Sequence, residues 1–187
     1  TVKFYRAGCF SFRLLLPFAL TSIPFAFLGG YLTLPGHWYK TLVGVILLFA
    51  AYKLFRIAKK PTEPADIRHV PLWAGLLCGA VIGMLAGLTG TGGGIFLSPL
   101  LLLMGWAGTR QTSGVSAAFI LANSIAGLLG NISSIGSLPG FIFVLAPAAI
   151  LGGFIGSEFG SKRIASANLR RLLALVLIVA GCKLIFT

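Results

Sequence analysis

Gly87-Leu-Thr-Gly-Thr-Gly-Gly-Gly-Ile-Phe-Leu-Ser-Pro99 lies within a long apolar region, and its reading decides the fold. Apolar sequence runs up to it from Pro71 to Thr89. Beyond it stands a shorter apolar stretch, Ile95 to Trp106. Between them Gly90, Gly92, Gly93 and Gly94 break the helix, because glycine accepts backbone conformations that other residues resist. Unpaired backbone is costly in hydrocarbon and persists there only when buried in protein or facing a cavity. A half-helix that starts at such a break presents unpaired N–H groups and the positive end of its dipole, which attract anions. Thr89, Thr91 and Ser98 add hydroxyls, and Pro99 is expected in or near the first turn of the new half-helix, where a missing N–H costs little. The segment reads as an anion site built from backbone, or as a tight turn that binds nothing. It is not a nucleotide loop: no Lys-Ser/Thr follows the glycines, and the dinucleotide spacing fails too.

Working outward, the chain is apolar on both sides. Phe12–Leu32, Trp38–Ile57, Pro71–Thr89, Thr112–Leu129, Phe141–Phe159 and Leu169–Phe186 each approach the roughly 20 apolar residues that a bilayer-crossing helix needs. Hydrophobic residues make up 57% of the chain and charged residues 10%, against about 25% charged in a soluble domain. That composition excludes a cytosolic enzyme, a secreted domain and a disordered tail. No segment alternates apolar with polar, so a β-barrel is excluded as well. The expected fold is all-α, a polytopic transmembrane bundle embedded in a lipid bilayer, in the plasma membrane.

The formal charge of +12 comes from 15 Lys and Arg against 3 acids. The basic residues sit between apolar runs, which is the positive-inside pattern and not a nucleic-acid face. If Ile95–Trp106 carries the chain back across, all of the fifteen except Lys40 and Lys183 fall on one side. If that segment is instead re-entrant, they split nine against six. The first arrangement is expected, with the basic side cytoplasmic.

Residues 11–55 slide onto 141–185 at an offset of 130 with nine identities, among them Pro17/Pro147, Gly30/Gly160 and Lys53/Lys183. An odd number of crossings between the copies would invert them, an architecture common in transporters. The expected organisation is residues 1–58 as the end of a first repeat, 59–70 as a cytoplasmic loop, and 71–187 as the second repeat with four spans and a half-helix. On this reading the sequence is a piece of a protein about 60 residues longer at its N-terminus, or a truncated relative. A missing N-terminal half or another copy is the expected partner.

The remaining polar residues are few. Ser113, Ser116, Asn123 and Ser124 share one arc of the Thr112–Leu129 helix. They line a path or hydrogen-bond between helices, and Asn123 is the best single candidate. Glu158 precedes Lys162 by one turn and reads as an interfacial pair. Glycines at 75, 79, 83 and 87, and at 152, 156 and 160, mark faces where helix backbones approach closely. They make the third and fifth long helices central. Cys9, Cys78 and Cys182 show no disulfide or metal spacing. No cofactor, metal or catalytic group is expected.

With these features in place, the chain resembles the sulfite exporter TauE/SafE family of membrane permeases. The resemblance rests on Gly87–Pro99, the Thr112-Ser113 pair, Gly152–Arg163, Leu169-Arg-Arg-Leu-Leu, and Pro17–Gly30 as the matching stretch of the first half. It implies export of a small sulfur-containing anion such as sulfite or a sulfonate, with a glycine motif in each half; here the first copy is absent. The substrate contacts expected are Thr89, Gly90, Thr91, Gly92, Gly93, Gly94, Ser98 and Asn123. The alternative is a non-transporting truncated subunit whose glycines only pack helices.

Overall fold

The computed structural model describes residues 10–32, 36–58, 69–131, 142–162 and 166–186. They form seven helices: α1 (Phe12–Tyr31), α2 (Gly36–Ala58), α3 (Leu72–Thr89), α4 (Gly94–Leu103), α5 (Thr109–Gly130), α6 (Ile142–Lys162) and α7 (Ser166–Phe186). There are no strands among the described residues. The expected loop lies outside them from residue 59 to 68. Three helices, α1, α3 and α5, are long and apolar enough to cross a membrane by length and composition.

Those three pack side by side and run parallel. A Cβ added to Gly75 would meet Pro17, one on Gly79 would meet Phe18, one on Gly83 would meet Ser22 and one on Gly87 would meet Ala26. The glycine stripe of α3 thus lies directly on the α1 backbone. Apolar burial drives little in lipid, where the solvent is as oily as the side chains. Close backbone approach, dispersion and interhelical hydrogen bonds hold such a seam. The Thr21 hydroxyl supplies one of these bonds, donating to the Leu76 carbonyl at 2.7 Å. The same logic joins α1 to α5, where Gly30 abuts Gly127 and Gly130 abuts the Phe27 backbone. The outward faces of these helices carry bare Leu16, Leu20, Phe27, Leu121 and Leu128, as a lipid-facing surface should.

The short α4 doubles back. Gly93 lies against Ala86 and Ile82 of α3. Further on, Ser98 of α4 meets Ser116 of α5. Past its end, Trp106 rests on Phe18, ring centroids 6.0 Å apart. This return places the start of α5 at the same end as the starts of α1, α3 and α7, where Arg170 reaches Thr109. Arg13, Arg56, Arg110, Arg170 and Arg171 therefore gather at one end, in line with the first of the two charge arrangements.

Three expectations change. Pro99 is the sixth residue of α4, not part of its first turn; it leaves the Ile95 carbonyl without its helical partner in a helix of 10 residues. α5 begins at Thr109, ahead of Thr112, because Gly108 breaks the chain there in extended conformation. The stripe on α6 does not make that helix central. Residues 145–156 are exposed throughout, and a Cβ on Gly152, Gly153 or Gly156 would touch nothing within 4 Å. Small residues permit close approach but do not supply the neighbour. The Glu158–Lys162 pairing involves a Lys162 side chain outside the described residues.

α2 and α7 pack antiparallel. Gly44 meets Gly181 and Ile185 near one end, and Phe55 shares a cavity with Arg171 near the other. The helix starts repeat the offset of 130: Phe12 and Ile142, Gly36 and Ser166. The buried faces do too. Gly44, Leu47 and Ala51 are buried on α2, and Ala174, Leu177 and Gly181 are buried at the corresponding positions of α7.

Candidate functional site

The break between α3 and α4 consumes four residues. Gly90 ends α3 at φ 66°, Gly92 follows at φ 67°, and Gly93 caps α4 at φ 75°. These are left-handed conformations, where a side chain costs roughly 1–2 kcal/mol. Thr89 stitches the end of α3, donating its hydroxyl to the Leu85 carbonyl at 2.6 Å. Its oxygen also lies 2.7 Å from the Thr91 hydroxyl. Phe96 and Leu97 both donate their N–H to the Gly93 carbonyl at 3.1 Å. The first N–H groups of α4 have no carbonyl a turn earlier to meet.

A cavity of about 320 Å³ opens beside this break. Ala86, Gly87, Gly90 and Gly92 line it on one side; Asn123, Ser124, Gly127, Leu128 and Asn131 line it on the other. Of the eight expected contacts, the structure brings Gly90, Gly92 and Asn123 together here. Gly93 and Gly94 are buried behind the wall, against Phe119 and Ile120. Thr89 and Thr91 are tied to each other and do not line the cavity. Ser98 lies one helical turn and more away, donating to Ser116 Oγ at 2.9 Å and facing a different cavity.

Asn123 dominates the chemistry. It is 2% exposed. Its Nδ2 donates to the Phe119 carbonyl at 3.0 Å, one turn back on its own helix. That bond fixes which way the amide points and leaves Oδ1, an acceptor, with no hydrogen-bond partner. A buried unpaired acceptor costs about 1–3 kcal/mol. Such a group calls for a donor from a ligand or a water. Among the described residues, no charged side chain lines the cavity. Its polarity comes from Asn123, Ser124, Asn131 and the carbonyl end of α3.

Sequence reasoning missed Asn131 and the Gly87–Gly127 approach. Asn131 follows the last residue of α5 as its C-terminal cap; an Asn after a terminal Gly is a stop signal, and nothing in its spacing shows that it faces a cavity. A second opening of about 360 Å³, between α2, α3 and α4, is walled by Leu, Ile, Phe, Val, Ala, Pro and Cys side chains and offers an anion nothing.

The family described as sulfite exporter TauE/SafE matches residues 1–184. A probable membrane transporter protein of Sinorhizobium fredii is 38% identical over 188 residues, covering 100% of this chain and 76% of that protein. A probable membrane transporter protein of Methanocaldococcus jannaschii is 27% identical over 175 residues, covering 87% of this chain and 64% of that protein. No solved structure matches the chain. A helical architecture with apolar spans and a match over nearly its whole length lead to one conclusion: the chain belongs to the sulfite exporter TauE/SafE family of membrane transporters.

Proposed function

We propose that the protein is a multi-pass plasma-membrane permease that exports a small hydrogen-bearing sulfur oxyanion, such as hydrogen sulfite, through the cavity at the α3–α4 break. The observation that carries this reading is the buried, unpaired Oδ1 of Asn123 on the cavity wall. A fully ionised oxyanion only accepts hydrogen bonds and would meet that oxygen unfavourably. A ligand with several acceptor oxygens and one acidic hydrogen suits the whole set. Its hydrogen faces Oδ1, and its oxygens face the Ser124 hydroxyl. The cavity has room for such an ion and a few waters, each occupying about 30 Å³.

Movement would follow from the halves rocking about the buried site, as in transporters built from inverted repeats. The shared helix starts of α1–α2 and α6–α7, and the shared buried positions of α2 and α7, support that reading. Export of one negative charge against an inside-negative potential is favourable by about 2.3 kcal/mol per 100 mV, so no coupling ion is needed.

The test is flux in proteoliposomes. Asn123→Leu removes the acceptor and is expected to lower sulfite flux about tenfold, the worth of one hydrogen bond to a charged group. Flux at fixed total sulfite should fall as pH rises through the second ionisation of the anion, because the hydrogen-bearing form disappears. Flux that rises over that range would remove the case for a hydrogen-bearing substrate. The rival reading, a non-transporting subunit, is favoured by the uncovered glycine face of α6; it predicts no flux from the chain alone.

A further inference from the structure

We propose that the protein holds a second oxyanion site, at its basic end, where the Thr109–Thr112 face of α5 forms a receiving pocket and Arg170 of α7, bound to Thr109, stands at its edge. This inference rests on the permease reading and extends it. Nothing in the glycine motif points to this place, and the pocket shares no lining residue with the first.

A cavity of about 200 Å³ lies between α4, α5 and α7, with Ser98, Thr109, Thr112 and Ser113 as its polar wall. The wall is buried: Thr109 is 6% exposed and Thr112 is 1% exposed. The Thr112 hydroxyl has no hydrogen-bond partner. An unpaired hydroxyl can donate its hydrogen to a ligand oxygen. Arg170, half-buried, donates Nε to the Thr109 hydroxyl oxygen at 2.9 Å. That contact uses one of five guanidinium N–H groups. It also commits the Thr109 oxygen as acceptor, so its own hydrogen is available to donate. Ser116 likewise accepts from Ser98 at 2.9 Å and keeps its hydrogen. Ser113 differs, since its hydroxyl is spent on the Thr109 carbonyl at 3.1 Å.

Two wall hydroxyls, Thr109 and Thr112, can thus donate into the cavity, with the Arg170 guanidinium held against Thr109 and Ser116 bonded to the wall residue Ser98. Among the described residues, no side-chain carboxylate lines the cavity. Arg171 turns away, into the cavity it shares with Phe55. A cationic fork beside converging hydroxyls is the chemistry that recognises a small oxyanion. This set contrasts with the first cavity, where Asn123 presents an acceptor. Both cavities border α5, the second at its Thr109–Ser113 end and the first along Asn123–Asn131, with Ser116 between those two stretches of the helix.

The test uses one thiol. Ser113→Cys, in a chain with Cys9, Cys78 and Cys182 changed to serine, places it on the cavity wall. Its alkylation by a fluorescent iodoacetamide is timed in nanodiscs with and without sulfate, an inert oxyanion, with chloride as the ionic-strength control. Sulfate is expected to slow labelling about tenfold, as a charge-assisted contact implies. Arg170→Gln should abolish the protection and Arg170→Lys should retain part of it. Thr112→Val should weaken protection while leaving the melting temperature unchanged or higher, because it deletes an unpaired buried hydroxyl. A purely structural role for Thr112 predicts the reverse pair of results. Should Arg170→Gln fail to fold, Thr112→Val decides. Absence of sulfate protection, or equal protection in Arg170→Gln, overturns the site. Protection without flux in vesicles would overturn the permease reading and leave this pocket standing; flux without protection would do the opposite.

Discussion

Gly83→Leu is expected to unfold the α1–α3–α5 core. A Cβ at position 83 would fall on the Ser22 carbonyl oxygen, 2.5 Å from the Ser22 Cα and 2.8 Å from its carbonyl carbon. All three atoms are backbone, so no side chain can swing aside. The helices must separate, and with them goes the Thr21–Leu76 hydrogen bond. Overpacking of a tight interior costs about 1–3 kcal/mol, and a clash against backbone belongs at or beyond the upper end. For a chain of this size that corresponds to a fall of roughly 10 °C in melting temperature. Gly153→Leu is the control. It adds the same side chain to the other stripe, where a Cβ meets nothing within 4 Å, and should leave the melting temperature within about a degree. Thermal unfolding of the purified variants in detergent checks both.

Gly92→Ala is expected to abolish transport while keeping the fold. The residue sits at φ 67°, which costs an alanine roughly 1–2 kcal/mol. Its Cβ would stand 2.6 Å from Ser124 Oγ and 3.0 Å from Ile120 Cγ2. Both are side-chain atoms and can move, and Ser124 can yield by turning into the cavity it lines. The protein should remain folded with its cavity reduced, and sulfite flux should fall by at least about tenfold. Gly90→Ala separates the two effects. It has a similar backbone penalty, at φ 66°, but nothing within 4 Å of the added carbon. Comparable destabilisation with much smaller loss of flux is the expected result. Equal losses of flux in the two variants would mean that backbone strain at the break matters, and not the space beside Ser124.

These variants show which parts of the molecule could be read from its sequence. The break at Gly90–Gly94 was legible because glycine clusters in apolar helices have few other uses, and the α3 stripe because spacing of four aligns residues on one face. The same spacing misled on α6. Periodicity shows that a face can accept a neighbour; it does not show that a neighbour is there. Within the break, sequence could not tell lining residues from supporting ones. Gly92 faces the cavity while Gly93 and Gly94, its immediate neighbours, are packed behind it. That difference is set by how α4 folds back onto α3 and α5, a tertiary fact. Asn123 was legible as a polar residue in an apolar helix. The direction of its amide was not, because it depends on the bond from Nδ2 to the Phe119 carbonyl. Arg170 read as one more positive charge near a helix end until its contact with Thr109 set it beside a buried cavity.

The measurement that bears most directly on the central claim is the location of a bound oxyanion. Selenite forms a hydrogen-bearing oxyanion and scatters anomalously. Crystals of the protein soaked in it near neutral pH are expected to show an anomalous peak between Gly92 and Asn123, within hydrogen-bonding distance of Asn123 Oδ1. An empty cavity at the break, in crystals whose selenite occupies other sites, would contradict the account.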